Sequence, residues 1–219
     1  MYLNLMEPNL QRKDSEYRPI DLADLKAIIH NNPAPPAPEA GSYKPACVFL
    51  LLFDPEDPHI LAIQKTASEG YPWSNQVALP GGHLDAEDAS PLAGAFRELE
   101  EEMSISHSQV HLLGSIGHFQ TINHRDIEAF TGLWNGMGPL KHDPAEIARV
   151  LKIPLQVLVR THLIKRFHNR IPGVQELRYP FEDVEVWGAT ARILHHFIEL
   201  LYPLLGKNGN RLSGSASFD

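Results

Sequence analysis

The alternation of short apolar runs with amphipathic segments predicts an α/β fold, a mixed sheet with helices packed on it. Three observations carry this expectation. Two apolar runs, 46–53 and 60–63, flank the turn-forming stretch DPEDP and read as a hairpin. A segment of helical period follows over 91–103, and further strand candidates then lead to a long C-terminal helix.

In order, the chain opens with a short amphipathic helix over 22–30, with Asp21 placed as its N-cap. The proline-rich stretch NNPAPPAPEAGS follows and can be neither helix nor interior strand. Beyond the hairpin, QVALP forms a third short strand that ends in Gly81-Gly82. A polar loop leads to the helix over 91–103, where Pro91 suits the first turn and Ser90 the cap. HLLGSIGHF and AFTGLW read as strands, DPAEIARVL as a helix from Pro144, and GATARILHHFIELLYPLL as the last helix. The organisation expected is an N-terminal extension over 1–44 (a short helix plus the proline-rich connector), one main domain over 45–206 and a disordered tail over 207–219.

A chain of 219 residues suffices for one generous domain, and 43% apolar residues supply a core without disulfides. The net charge of −8 argues against a general nucleic-acid binder. The single cysteine, Cys47, lies in an apolar run and reads as a buried, inert thiol. A start without a signal-peptide pattern, and apolar runs too short to span a membrane, make a cytoplasmic protein with no membrane partner the expectation.

The most informative stretch is GGHLDAEDASPLAGAFRELEEEMSI. On a helix, Ala93, Phe96, Leu99 and Met103 share one side, while Glu98, Glu101 and Glu102 share the opposite one, with Glu100 towards the apolar edge. Glutamates opposite an apolar stripe are the ordinary pattern of a solvated face. Yet like charges at this spacing repel, and the cluster sits towards the unfavourable end of the helix dipole. A divalent cation reverses that penalty, and three carboxylates on adjacent turns make a hard-oxygen site suited to Mg²⁺ or Mn²⁺. Gly81 and Gly82 upstream permit a sharp turn and a close backbone approach.

With those residues in place, the segment resembles the Nudix box. Gly82 opens it, Arg97-Glu98-Leu99 matches its Arg-Glu-apolar run, Glu101-Glu102 its paired glutamates and Ile105 its last apolar position. Asp88 stands at the first acidic position, where the general pattern has glutamate. The interval from Gly82 to Arg97 is one residue longer than usual, as in the coenzyme A diphosphatase branch. That branch is also resembled at Gln76, Val77, Pro80, Asp85 and Ser90, in DPAEIARVLKIPLQVLVR and in VEVWGATARIL. Three features depart from it. Ser104 replaces the glycine that ends the helix, at a cost of about 1 kcal/mol if a left-handed cap is kept. Asn75 stands where the branch has glycine, and IQKTASEGYPWS replaces a tract that bears arginine.

The resemblance implies a Nudix α/β/α sandwich, a mixed sheet between helices. It implies a diphosphatase that cleaves coenzyme A or acyl-CoA to 3′,5′-ADP and a 4′-phosphopantetheine product. ADP-ribose, NADH or another nucleoside diphosphate derivative is the alternative substrate, and a non-catalytic nucleotide-binding module the alternative role. It implies Glu98, Glu101 and Glu102 as catalytic metal ligands for Mg²⁺ or Mn²⁺, with Glu98 also a candidate base. Gly81, Gly82 and Gln76 would face the substrate, while Arg97 and Asp88 would be structural. Glu146 is a candidate further catalytic acid, with a helix-terminus glutamate as the plainer reading. A homodimer is also within the family's habits. Trp187 is expected in the core, with stacking on the substrate as the alternative. Lys65, Lys141, Lys165, Arg166 and Arg170 are candidate phosphate contacts. The twelve histidines show no recognised ligand spacing and are taken as structural or solvated.

Overall fold

The chain was described by a computed structural model, which covers residues 21–39, 41–67 and 74–209, with side chains through residue 205. Helix α1 (Leu22–Asn31) is capped as expected, the Asp21 carboxylate accepting from Ala23 N at 2.7 Å. Strands β1 (Lys44–Phe53) and β2 (His59–Lys65) form the antiparallel hairpin, followed by the short strands β3 (Val77–Ala78) and β4 (Gly81–His83). Next come helix α2 (Pro91–Met103) and the antiparallel pair β5 (Val110–Gln120) and β6 (Arg125–Trp134). Strand β7 (Ile147–Pro154) leads into helix α3 (Leu155–Ile164). The small hairpin β8 (Tyr179–Phe181) and β9 (Val184–Val186) precedes helix α4 (Gly188–Gly209).

The sheet runs β3-β2-β1-β6-β5, with β7 along the far edge of β2 and β4 on the first half of β1. β1 and β6 are parallel and the other pairs antiparallel, so the sheet is mixed as expected.

Alternation along β1 divides the molecule into layers. Cys47, Phe49 and Leu51 point towards Ala95, Leu99 and Met103 of α2. Leu50 and Leu52 point the other way, into a larger core built with α1, α3 and α4. This is the α/β/α sandwich. Burial pushes the Cys47 thiol up to about 12, consistent with an inert side chain.

The proline-rich connector has a structural task. β5 is an edge strand, and Pro35 O accepts the His118 N–H at 2.9 Å, so the connector covers part of that edge. Gly117 opposite has φ +110°, and a Cβ there would lie 2.5 Å from the Pro35 ring. The glycine is what lets the connector close on the strand.

Four expectations need correction. The third strand does not end in the glycines: β3 stops at Ala78, and Gly81-Gly82 open the separate strand β4, which pairs with β1 instead of β2. The stretch from Pro144 is a turn over 144–146 followed by β7, not a helix. Its apolar residues pair along the whole of β2, and that ladder outweighs the local cap-like signal of Asp143-Pro144. Trp187 is 39% exposed, because Val186 points inward and the next residue must point out. On α2, Glu102 is buried at 8% beside Met103, whereas Glu100 is exposed. Of the expected tail, 207–209 continue α4 and the rest lies outside the described residues.

Ser104 does keep the left-handed cap, with φ 56° and its N–H donating to Glu100 O. A side chain in that conformation is strained. The substitution Ser104→Gly is expected to raise stability by about 0.5–1 kcal/mol, the relief of strain exceeding the entropy glycine adds to the unfolded chain. Urea unfolding reads this directly; an unchanged or lower midpoint would mean the cap is not strained.

Candidate functional site

Two of the α2 carboxylates, those of Glu98 and Glu102, meet the Gly81-Gly82 turn. Gly81 takes φ +145°, and a Cβ there would lie 2.2 Å from Cys47 O, so only glycine allows β4 to pair with β1 at this point. A Cβ on Gly82 would fall 2.4 Å from the Glu98 carboxyl, which therefore rests on bare backbone. One residue earlier, the Gly81 N–H donates to Glu102 Oε2 at 2.9 Å. Successive glycines thus hold two carboxylates one helical turn apart.

Arg97 joins the third. Its Nη1 lies 3.0 Å from both Glu98 Oε1 and Glu101 Oε2. Its Nε and Nη2 grip Asp88 at 3.1 and 3.0 Å, and Nη2 also donates to His83 O. The planar fork suits this bidentate task. Asp88 in turn accepts the Asp85 N–H at 2.9 Å, so the loop is folded back onto the helix. Gly94 lets Asp88 approach, since a Cβ there would lie 2.7 Å from Asp88 Oδ2.

Lys65, on β2, completes the cluster with its Nζ 2.6 Å from Glu102 Oε1. Burial pushes the Glu98 carboxyl above the usual range, against the hydrogen bond from Arg97 that lowers it. Glutamate oxygens are the donor type a hard divalent cation takes, and the glycines leave backbone open beside Glu98 and Glu102; as they stand the α2 carboxylates are drawn to Arg97, Lys65 and the Gly81 N–H rather than gathered around one point.

Of the remaining candidates, Gln76 lies next to β3, its amide nitrogen 3.6 Å from where a Cβ on Gly188 would stand. Glu146 is exposed in the turn before β7, its carbonyl accepting the N–H of Thr66 beside Lys65. Lys141 is held through its N–H to Met103 O at the end of α2. Lys165 and Arg170 are engaged within the loop after α3, by Arg178 O and Glu176 respectively. Arg166 lies in the same loop with a left-handed backbone. Two arrangements were not legible beforehand. The burial of Glu102 against Lys65 needs the β2–α2 packing, and a grouping of His162, His168 and Glu199 spans two helices.

Asn75 has φ 60°, a backbone conformation that glycine takes without strain. Its side chain accepts from Gln64 Nε2 at 2.6 Å, and Gln64 also holds Arg149 at 2.6 Å.

Fold and site together define a hydrolase of the Nudix class. The Nudix domain model matches residues 43–174, and the chain belongs to that family, hydrolases acting on pyrophosphate bonds. It is 28% identical over 169 residues to a protein of Photorhabdus laumondii named as an uncharacterised Nudix hydrolase, NudL, covering 76% of this chain and 90% of that one. A NudL of Yersinia pestis is 30% identical over 131 residues, 58% of this chain and 64% of the relative. Among solved structures, the Nudix domain of Shewanella oneidensis NrtR in complex with ADP ribose superposes with a TM-score of 0.49 at 15% identity. That match covers 81% of this chain and 96% of the other. A MutT protein of Methanosarcina mazei gives 0.48 at 14%, covering 74% and 96%. The architecture above, not these loose superpositions, defines the fold.

The hydrogen bonds from Arg97, then that from Asp85 N–H, hold the Asp88 carboxyl below the usual carboxylate range. A carboxyl depressed on folding stabilises fully above its unfolded pKa, about 3.9, and loses that contribution as pH falls towards its folded value. The variant Asp88→Asn is therefore expected to unfold at lower temperature near neutrality and to descend less steeply into acid. Thermal midpoints taken down through about pH 4 measure the difference; parallel curves would separate Asp88 from acid unfolding.

Proposed function

We propose that this chain is a metal-dependent diphosphatase acting on coenzyme A or acyl-CoA, releasing 3′,5′-ADP and a 4′-phosphopantetheine product. The observation that carries the chemistry is the seating of Glu98 on Gly82 and of Glu102 on Gly81 N–H, with Arg97 bringing Glu101 alongside. The coenzyme A assignment rests on the lengthened box and on the resembling segments around Gln76 and Trp187.

In the reaction a water oxygen bonds to one phosphorus as the bond from that phosphorus to the bridging oxygen breaks, giving two phosphomonoesters. Glu98, Glu101 and Glu102 would hold Mg²⁺ or Mn²⁺, which neutralises the diphosphate and activates water. Glu98 would accept the proton of the attacking water, with Glu146, in the turn before β7, as the second candidate. Gly81 and Gly82 offer main chain without side chains, so a phosphate can approach closely. Arg97 orients carboxylates and does not touch substrate. Lys65 pairs with Glu102 through its Nζ. The exposed Trp187 sits just before the Gly188–Gln76 approach, where an indole can stack on a base or line the pantetheine arm.

Turnover of coenzyme A, acyl-CoA, ADP-ribose, NADH and diadenosine polyphosphates with Mg²⁺ or Mn²⁺ tests this, with products identified by mass. Metal-dependent 3′,5′-ADP from coenzyme A, faster than any other cleavage, is expected. Preference for another diphosphate would move the substrate and keep the chemistry. In the same assay Glu98→Gln and Glu102→Gln are expected to lower kcat by about 100-fold or more, as loss of metal-ion electrostatics does elsewhere. Full turnover in both would remove the assigned centre. The variant Trp187→Ala is expected to raise KM by roughly tenfold with kcat little changed, the loss of one stacking contact of about 1 kcal/mol or slightly more.

A further inference from the structure

On the opposite face of the sheet from α2, the end of α3 turns back towards α4 through residues 165–169. Arg166 and Asn169, both with positive φ, shape that turn. It brings His168 beside His162 of α3, and both face Glu199 of α4. His162 Nε2 lies 2.7 Å from Glu199 Oε1, and His168 Nδ1 lies 3.0 Å from the same oxygen. One donor atom from each of the three residues falls within 4.8 Å of the others. We propose that His162, His168 and Glu199 form a second metal site, for a zinc-class divalent ion, that fastens α3 and its following turn to α4.

Two imidazoles and one carboxylate are a recurrent zinc ligand set, with the fourth position left to water. This donor set differs in kind from the all-carboxylate cluster on α2, and nitrogen ligands favour zinc over magnesium. The outer atoms are also provided for. His162 Nδ1 is 2.9 Å from the Tyr179 hydroxyl, and His168 Nε2 is 2.9 Å from the Asn169 side-chain amide. If that amide presents its oxygen, it accepts from Nε2 and leaves Nδ1 free to ligate. Asn169 N–H donates to Glu199 Oε2 at 3.0 Å, which holds the carboxylate in place. The ring of Tyr202 stacks on His168.

Burial divides the site. His162 is 0% exposed, so its ring cannot turn away, while His168 and Glu199 are part-exposed and leave a route for an ion and its water. Burial also lowers the His162 pKa, which favours the neutral ligand form. Although burial works the other way, hydrogen bonds from His168, Asn169 N–H and His162 keep Glu199 below the usual carboxylate range. The donors are at present linked by hydrogen bonds to Glu199 Oε1. An ion would replace the two shared protons and widen their spacing to about 3.3 Å, the edge of a zinc tetrahedron. The two nitrogens, which lie within 4.8 Å of each other, would also draw together around the ion.

The test uses the tag-free full chain, stripped with chelator and dialysed against micromolar Zn²⁺ with Mg²⁺ in large excess to occupy the α2 carboxylates. Metal content is then measured by elemental analysis, and thermal midpoints are taken with and without Zn²⁺. One zinc per chain and a raised midpoint are expected in the parent and equally in Glu98→Gln, which leaves this site intact. His168→Ala and Glu199→Gln are expected to weaken zinc binding by more than roughly tenfold and to abolish the rise. His162 is left unchanged because its substitution endangers the core. Co²⁺ in place of zinc should give the visible bands of a tetrahedral nitrogen–oxygen site. No retained zinc in the parent, or retention unchanged in either His168→Ala or Glu199→Gln, overturns the proposal. None of these readouts depends on which diphosphate the enzyme cleaves.

Discussion

The guanidinium of Arg97 ties the loop after the glycine turn to the helix that carries the carboxylates. It reaches Asp88 on one side and Glu98 and Glu101 on the other, with His83 O between. Without it the loop has no charge-assisted hold on α2, and Glu98 and Glu101 repel each other across one helical turn. Lysine at this place would supply the charge but not the fork, so it could not grip both oxygens of Asp88 while pairing with the glutamates. The glycine turn, the Asp88 loop and the helix are thereby one rigid unit, and the open backbone at Gly82 is useful only because that unit fixes Glu98 beside it.

Burial governs the other half of the cluster. Glu102 lies beside Met103 and behind Leu99, so its charge is withdrawn from water. Gly81 N–H and Lys65 Nζ share its two oxygens, one each. Removing one partner of a part-buried pair of this kind leaves the other charge poorly solvated, so it destabilises more than loss of a surface ion pair does. The same withdrawal makes the carboxylate available to a cation without competition from solvent. Stability and the proposed chemistry therefore draw on the same side chain.

Much of this arrangement could be read from local sequence, and the failures share a cause. The left-handed turn at Ser104 is signalled only by the family resemblance, whereas the cap at Ser90, the helix limits and the hairpin all follow from short-range chemistry. So does the coincidence of Gly81-Gly82 with the glutamate run, which needs only helical spacing. What escaped depends on long-range pairing. The segment after Pro144 carries helix-like punctuation, yet its register along β2 makes it a strand. Trp187 is apolar and follows a strand pattern, but the short β9 ends with Val186 inward, which leaves the indole outside. His162, His168 and Glu199 belong to separate helices and a turn, so no spacing in sequence could group them.

Charge sets the last constraint. The chain carries −8 overall, and its substrate class, a diphosphate, is itself anionic. Among the described residues, Asp85, Asp88, Glu98, Glu101 and Glu102 around the turn pair with Arg97 and Lys65, an excess of three negative charges. Each is pinned by hydrogen bonds or the ion pairs just named, so rearranging side chains cannot reverse the sign. One divalent cation leaves the cluster at a single negative charge, and a second makes it positive. Electrostatic attraction of the substrate therefore requires more positive charge than one such ion supplies, whether it arrives with the protein or with the diphosphate.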